Sequence, residues 1–218
     1  IQKCRRAHGP WAMGRDPGGI FGCSCVCLCI CMYVYVYLCI YIYKIKLFNR
    51  CSTNISSKYK QSSIIIIGEG PGQKEDELGK PFVGDAGNLL NKMLKAIKIE
   101  RQKIYITNVV NYRTPNNRKP EQSEINRYSE YLKEHIAIID PKILILMGST
   151  AMEAILGSNK KISKERGQWK EVIIGKKNYK AIITFHPAYL LRKPDQKKFS
   201  WEDLKIIRKE IDDQNIII

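Results

Sequence analysis

Apolar positions along this chain fall into two periods. Ile64–Ile67, Ile104–Thr107, Ile143–Met147 and Ala181–Phe185 are short, nearly continuous apolar runs rich in β-branched residues. Such runs predict strands buried on both faces. Between them the spacing becomes helical. Leu89, Leu90, Met93, Leu94 and Ile97 predict a helix over 87–97, and similar patterns predict helices over 122–139, 149–156 and 201–211. The second of these should stop before Pro141. Residues 111–120 read as a polar, proline-punctuated loop, and 169–179 as a β-rich excursion ahead of the last strand. Strands alternating with helices imply a parallel sheet with helices on both faces.

The first sixty residues follow neither period. Residues 20–43 carry no charge and are mostly apolar, long enough to cross a bilayer as a helix. Their order, however, is Cys-Val-Cys-Leu-Cys-Ile-Cys passing into Tyr-Val-Tyr-Val-Tyr and Ile-Tyr-Ile-Tyr. A TG repeat encodes alternating Cys and Val, and a TA repeat alternating Tyr and Ile. Residues 1–51 therefore read as a translated simple-sequence tract in preference to a membrane anchor. Residues 52–62, rich in Ser, Thr, Asn and Lys, read as a linker, and 63–218 as the domain. All eight cysteines lie at or before Cys51, with no Cys-x-x-Cys, which argues against a zinc site or a disulfide framework in the domain.

Charge narrows the partner. The chain carries a net +16, and residues 63–218 alone have 28 Lys and Arg against 20 Asp and Glu, a net of +8. A basic surface suits a polyanion, although basic charge alone is common among soluble proteins.

The candidate chemistry gathers at strand ends. Gly68-Glu69-Gly70-Pro71-Gly72 follows the first strand, Asn108 ends the second and His186 follows the fourth. In open α/β sheets the carboxyl ends of the strands are where ligands bind. A P-loop is excluded because Gly79-Lys80 is followed by Pro81. Three stretches together resemble the family-four uracil-DNA glycosylases. The first is Gly68–Gly72 with Glu75-Asp76 and Gly79-Lys80-Pro81-Phe82-Val83-Gly84. The second is Ile106–Val110 with Arg113 and Asn117-Arg118, and the third is His186–Arg192. Each alone is weak, but all three in order are specific.

The resemblance implies a three-layer α/β/α fold with a central parallel sheet of about four strands. It also implies hydrolysis of the N-glycosidic bond of a flipped-out deoxyuridine, releasing uracil and leaving an abasic site in single- or double-stranded DNA. Glu69 would position water and stabilise positive charge on the sugar. His186 would donate to uracil O2 as negative charge develops there. Gly70 and Gly72 would sit against the sugar, Phe82 would stack on the base and Asn108 would read N3–H and O4. Glu75 would exclude the thymine methyl. Tyr189, Leu190 and Leu191 would enter the minor groove, with Arg192, Arg113 and Arg118 on phosphates. Each residue also has a plainer reading. Glu69 could accept amides of its own turn, Asn108 could cap a strand, and Phe82, Leu190 and Leu191 could be core. The helix residue His135 reads as structural. The rival function is a non-catalytic binder of uracil-containing or single-stranded DNA. A monomer is expected, in the cytoplasm or in a nucleus or organelle.

One departure concerns a cofactor. Many members of that family hold a four-iron four-sulfur cluster on four cysteines, two ahead of the first strand, one after the second motif and one in the next helix. Here the last two positions are Tyr112 and Tyr128. A cluster needs its thiolates. The expectation is no cluster and no metal, with the two tyrosines filling the space.

Overall fold

The computed structural model describes residues 62–157 and 160–217. The tract 1–51 and nearly all of the 52–62 linker lie outside the described residues. Five strands form one sheet: β1 (Ile64–Gly68), β2 (Tyr105–Asn108), β3 (Ile143–Met147), β4 (Trp169–Ile174) and β5 (Lys177–Thr184). Their spatial order is β2-β1-β3-β5-β4. The first four in that order run parallel, and β4 pairs antiparallel with β5. The sheet is thus mixed and five-stranded, where sequence reading expects about four parallel strands. The difference is the hairpin: the β-rich excursion pairs with the last strand through a turn at Gly175 and extends it back to Lys177.

Seven α-helices complete the described residues: α1 (Gln73–Leu78), α2 (Asp85–Ala96), α3 (Gln122–Ile139), α4 (Ser149–Leu156), α5 (Ile162–Glu165), α6 (Pro187–Arg192) and α7 (Lys197–Asp213). β1 shows why the sheet must be covered on both sides. Ile65 and Ile67 point into a core shared with Ile125, Leu132 and Ile136 of α3 and Met152 of α4. Ile64 and Ile66 point into a second core with Leu90 and Leu94 of α2 and Leu204 and Ile207 of α7. Successive side chains on a strand alternate faces, so an all-isoleucine strand requires an apolar layer on each. The result is three layers, α/β/α.

α3 has the ends its sequence predicts. Glu121 and Glu124 form a capping box at its start, and Asp140 adopts a left-handed backbone at its end, before Pro141. α1, α5 and α6 were not predicted; each is four to six residues long. Beneath the end of β5, Asp203 of α7 is fully buried. It accepts from Thr184 Oγ1 at 2.8 Å and from Arg166 Nη2 at 2.7 Å. This network fastens α7 to the strand that leads into His186.

Chain topology concentrates the strand ends. The chain moves from β1 outward to β2, then returns past β1 to β3, so the direction of winding switches at β1. The crevice at such a switch lies at the carboxyl ends of the strands. Glu69 follows β1, Asn108 ends β2 and His186 follows β5.

Among the described residues, no helix is long and apolar enough to cross a membrane. His135 is buried in α3, edge-on to the Tyr105 ring at 5.1 Å. Burial holds its pKa down to about 4 from 6.5. The unfolded chain therefore binds the extra proton first, and the stabilisation present above about pH 6.5 is lost as pH falls toward 4. Wild type should lose about 2 kcal/mol more than a His135→Leu variant between pH 7 and pH 5 in urea unfolding. Equal losses would show that His135 does not titrate in this range.

Candidate active site

The strand ends and the loops after them enclose a cleft of about 240 Å³. That is slightly below the ~300–1,000 Å³ of sites that take drug-sized ligands, and suits a single base. Glu69, Gly70, Gly72, Glu75, Phe82, Asn108, Arg118, His186, Tyr189 and Arg192 all line it. Side chains spread over positions 69 to 192 are thereby brought to one place.

Two polar atoms in this group are buried without a hydrogen-bond partner, Asn108 Oδ1 and His186 Nε2. Asn108 is the last residue of β2 and only 3% exposed. Its strand-end position is fixed by the ladder, which runs one step further on each side: Val109 N–H donates to Gly68 O and Val110 N–H to Glu69 O, both at 3.0 Å. His186 is the N-cap of α6, and its Nδ1 accepts from the Ala188 N–H at 3.2 Å. In the neutral ring the proton therefore sits on Nε2. Burial lowers the His186 pKa; Glu69 opposes that shift and Arg192 adds to it. The ring is neutral at pH 7 and points an unused N–H donor, while Asn108 holds an unused acceptor.

The wall facing them is held by a carboxylate. Glu75 is buried, and its Oε1 accepts from Val83 N–H at 2.9 Å and Gly84 N–H at 2.8 Å. These bonds hold the Pro81–Gly84 turn, in which Phe82 has a left-handed backbone, φ 52°. That conformation is unusual for a bulky residue and persists only when neighbours enforce it. The Phe82 ring lies 5.5 Å from the His186 ring, tilted 32°. Gly68 makes room for this group. A Cβ there would lie 2.5 Å from Asn108 Oδ1 and 2.5 Å from Phe82 Cζ.

Glu69 is half-buried at the mouth of its turn, and Thr150 Oγ1 donates to its Oε2 at 2.7 Å. Thr150 was missed by sequence reading. It stands 81 positions away on another helix, and only the β1–β3 adjacency brings it close.

Three predicted site residues do not line the cleft: Arg113, Leu190 and Leu191. Leu190 is 1% exposed and belongs to the second core, so its sequence assignment as a minor-groove wedge is corrected to core. The reason is helix phase. Pro187–Arg192 is a helical turn and a half that buries Leu190 and leaves Leu191 44% exposed. Arg113 donates to Asn117 Oδ1 at 2.8 Å.

Tyr112 and Tyr128 meet with ring centroids 5.8 Å apart. Tyr112 O–H donates to Glu124, which also takes both Arg118 terminal nitrogens at 2.8 Å. Arg118 and Tyr112 hold the Glu124 pKa down to about 2. This bracket ties the 111–120 loop to the first turn of α3. It also engages the guanidinium that sequence reading assigned to phosphate. No group of three or more His, Cys, Asp or Glu able to hold a metal ion occurs among the described residues.

Residues 57–206 match the uracil DNA glycosylase superfamily. The chain is 43% identical over 163 residues to a type-4 uracil-DNA glycosylase of Sulfurisphaera tokodaii, spanning 69% of this chain and 71% of that protein. Identity to the type-4 uracil-DNA glycosylase of Thermotoga maritima is 41% over 145 residues, 66% of this chain and 74% of that protein. With that of Archaeoglobus fulgidus it is 36% over 152 residues, 68% and 76% respectively.

Gly68→Ala is expected to cost roughly 1–3 kcal/mol in urea unfolding, the usual scale of overpacking. A variant as stable as wild type would show that Asn108 and Phe82 do not close over Gly68.

Proposed function

The chain belongs to the uracil DNA glycosylase superfamily, and we propose that it is a DNA repair glycosylase that hydrolyses the bond between uracil N1 and deoxyribose C1′. The observation that carries the reading is the pair of unpartnered polar atoms. Asn108 Oδ1 is an acceptor and His186 Nε2–H a donor, both buried at one cleft. Uracil presents N3–H beside O2, a donor beside an acceptor. The base fulfils both atoms in one placement, with Asn108 Nδ2 available for O4. Cytosine carries an acceptor at N3 and a donor at N4, the reverse of what an asparagine in this orientation offers.

The steps follow from these positions. The base leaves the stack and enters the cleft against Phe82. As the N1–C1′ bond breaks, its electron pair moves onto uracil, and His186 Nε2–H donates to the developing charge on O2. A donor placed there is typically worth ~3 kcal/mol. Glu69 faces the positive charge growing on the sugar and orients the water that adds to C1′. Water's oxygen joins C1′ and keeps one proton as the new hydroxyl, while the other proton neutralises the uracil anion. In this reading Glu75, which holds the Phe82 turn, also excludes a methyl at C5. Tyr189, Leu191 and Arg192 face the DNA, with Leu191 as the exposed apolar tip of α6.

The donor set does not fit the iron–sulfur cluster of many relatives. Tyr112 and Tyr128 supply no thiolates, and no cysteine follows Cys51. We propose that the Tyr112–Glu124–Arg118 bracket and the Tyr112–Tyr128 contact hold the loop in its place.

Purified protein is expected to release uracil from U·G duplex DNA in EDTA, and to contain no stoichiometric iron or sulfide by chemical assay. Binding of uracil DNA without excision would support the non-catalytic rival. Excision lost in EDTA and restored by a divalent cation would contradict the cation-free chemistry. Stoichiometric iron with sulfide would contradict the bracket's substitution for a cluster.

A further inference from the structure

Thr150 has no role in the steps above, yet its hydroxyl has an unusual destination. It is fully buried in the first turn of α4, too early in the helix to find a carbonyl three or four residues back within it. Its Oγ1 instead donates to Glu69 Oε2 across the β1–β3 boundary at 2.7 Å. The placement is enforced from both sides. Gly148, with φ 95°, turns the chain sharply out of β3 into α4, and a Cβ there would lie 3.2 Å from His186 Cβ. On the other side Val110 N–H holds the Glu69 carbonyl at 3.0 Å. Backbone and hydroxyl therefore fix Glu69 at two points.

We propose that Thr150 is a positioning residue for Glu69, fixing the carboxylate rotamer so that its other oxygen, Oε1, faces the water and the sugar. The proposal rests on the glycosylase reading. A carboxylate on a half-buried turn has several rotamers open to it, and only those aimed into the cleft oppose charge at C1′. One charge-assisted hydrogen bond selects among them. The bond exists before substrate arrives, so it acts as preorganisation and should be visible in the chemical step more than in binding. The plainer account is that a buried hydroxyl only needs some acceptor. It predicts a stability loss without a specific link to Glu69.

The test is a double-mutant cycle on the full chain with U·G duplex DNA, using Thr150→Val, Thr150→Ser, Glu69→Gln and the Thr150→Val/Glu69→Gln pair. Thr150→Val should slow single-turnover excision about 10- to 100-fold, the scale of a lost hydrogen bond to a charged group. The Kd for uracil DNA should stay within about twofold, because the bond is not to the DNA. Thr150→Ser should recover most of the rate. In the Glu69→Gln background Thr150→Val should change the rate less than about twofold, since the two residues act as one. An equal loss in both backgrounds, or a Thr150→Val enzyme at wild-type rate, would overturn the proposal. Should Thr150→Val not fold, Thr150→Ala and Thr150→Ser carry the same comparison, and equal rates for these two would overturn it. Wild-type protein that releases no uracil would instead overturn the glycosylase reading on which this rests.

Discussion

A buried polar atom without a partner is destabilising by ~1–3 kcal/mol, in a domain whose total stability is ~5–15 kcal/mol. This fold carries two at one cleft, Asn108 Oδ1 and His186 Nε2, each closed off from solvent. Asn108 is placed by the β1–β2 ladder, and the missing side chain at Gly68 leaves room for its Oδ1. His186 is locked by its own cap bond to Ala188 N–H and by the Phe82 ring. The fully buried isoleucines of β1 keep the sheet from shifting to satisfy either atom. In the function proposed above, a matching base supplies the hydrogen bonds that these two atoms lack.

Most of that scaffold was legible in the sequence because its signals are local. Nearly continuous apolar runs mark strands buried on both faces, and α3 stops before Pro141 as that residue requires. Glu69, Asn108 and His186 could be singled out because each sits at a strand end, and topology alone sends those ends to one edge. Three features were less legible, each for a physical reason. The β4–β5 hairpin was legible only as a β-rich excursion over 169–179, because nothing local marks the strand it pairs with or its antiparallel sense. α6 starts at a proline and is six residues long, too short to show a period; without its phase, Leu190 and Leu191 look alike, although one is core and the other exposed. Thr150 makes its contact through tertiary structure alone, and nothing local marks it.

The loop between β2 and α3 shows a second kind of economy. Two tyrosine rings in contact and a glutamate that gathers a phenol and a guanidinium tie this loop to α3. Such a bracket lies near the surface, with Arg118 and Tyr112 exposed and Glu124 half-buried, and is weakened by salt and by acid. The Glu124 carboxylate stays ionised down to about pH 2, so acid releases the bracket only below the range in which the glycosylase reading requires it.

The central claim is that the two unpartnered atoms are completed by one base. The direct measurement is a crystal structure of the protein soaked with free uracil, the product of the proposed reaction. The account predicts uracil in the cleft against Phe82, with O2 within hydrogen-bond distance of His186 Nε2 and N3 within that distance of Asn108 Oδ1. Uracil bound in the cleft with neither atom engaged, or bound only elsewhere on the protein, would contradict it.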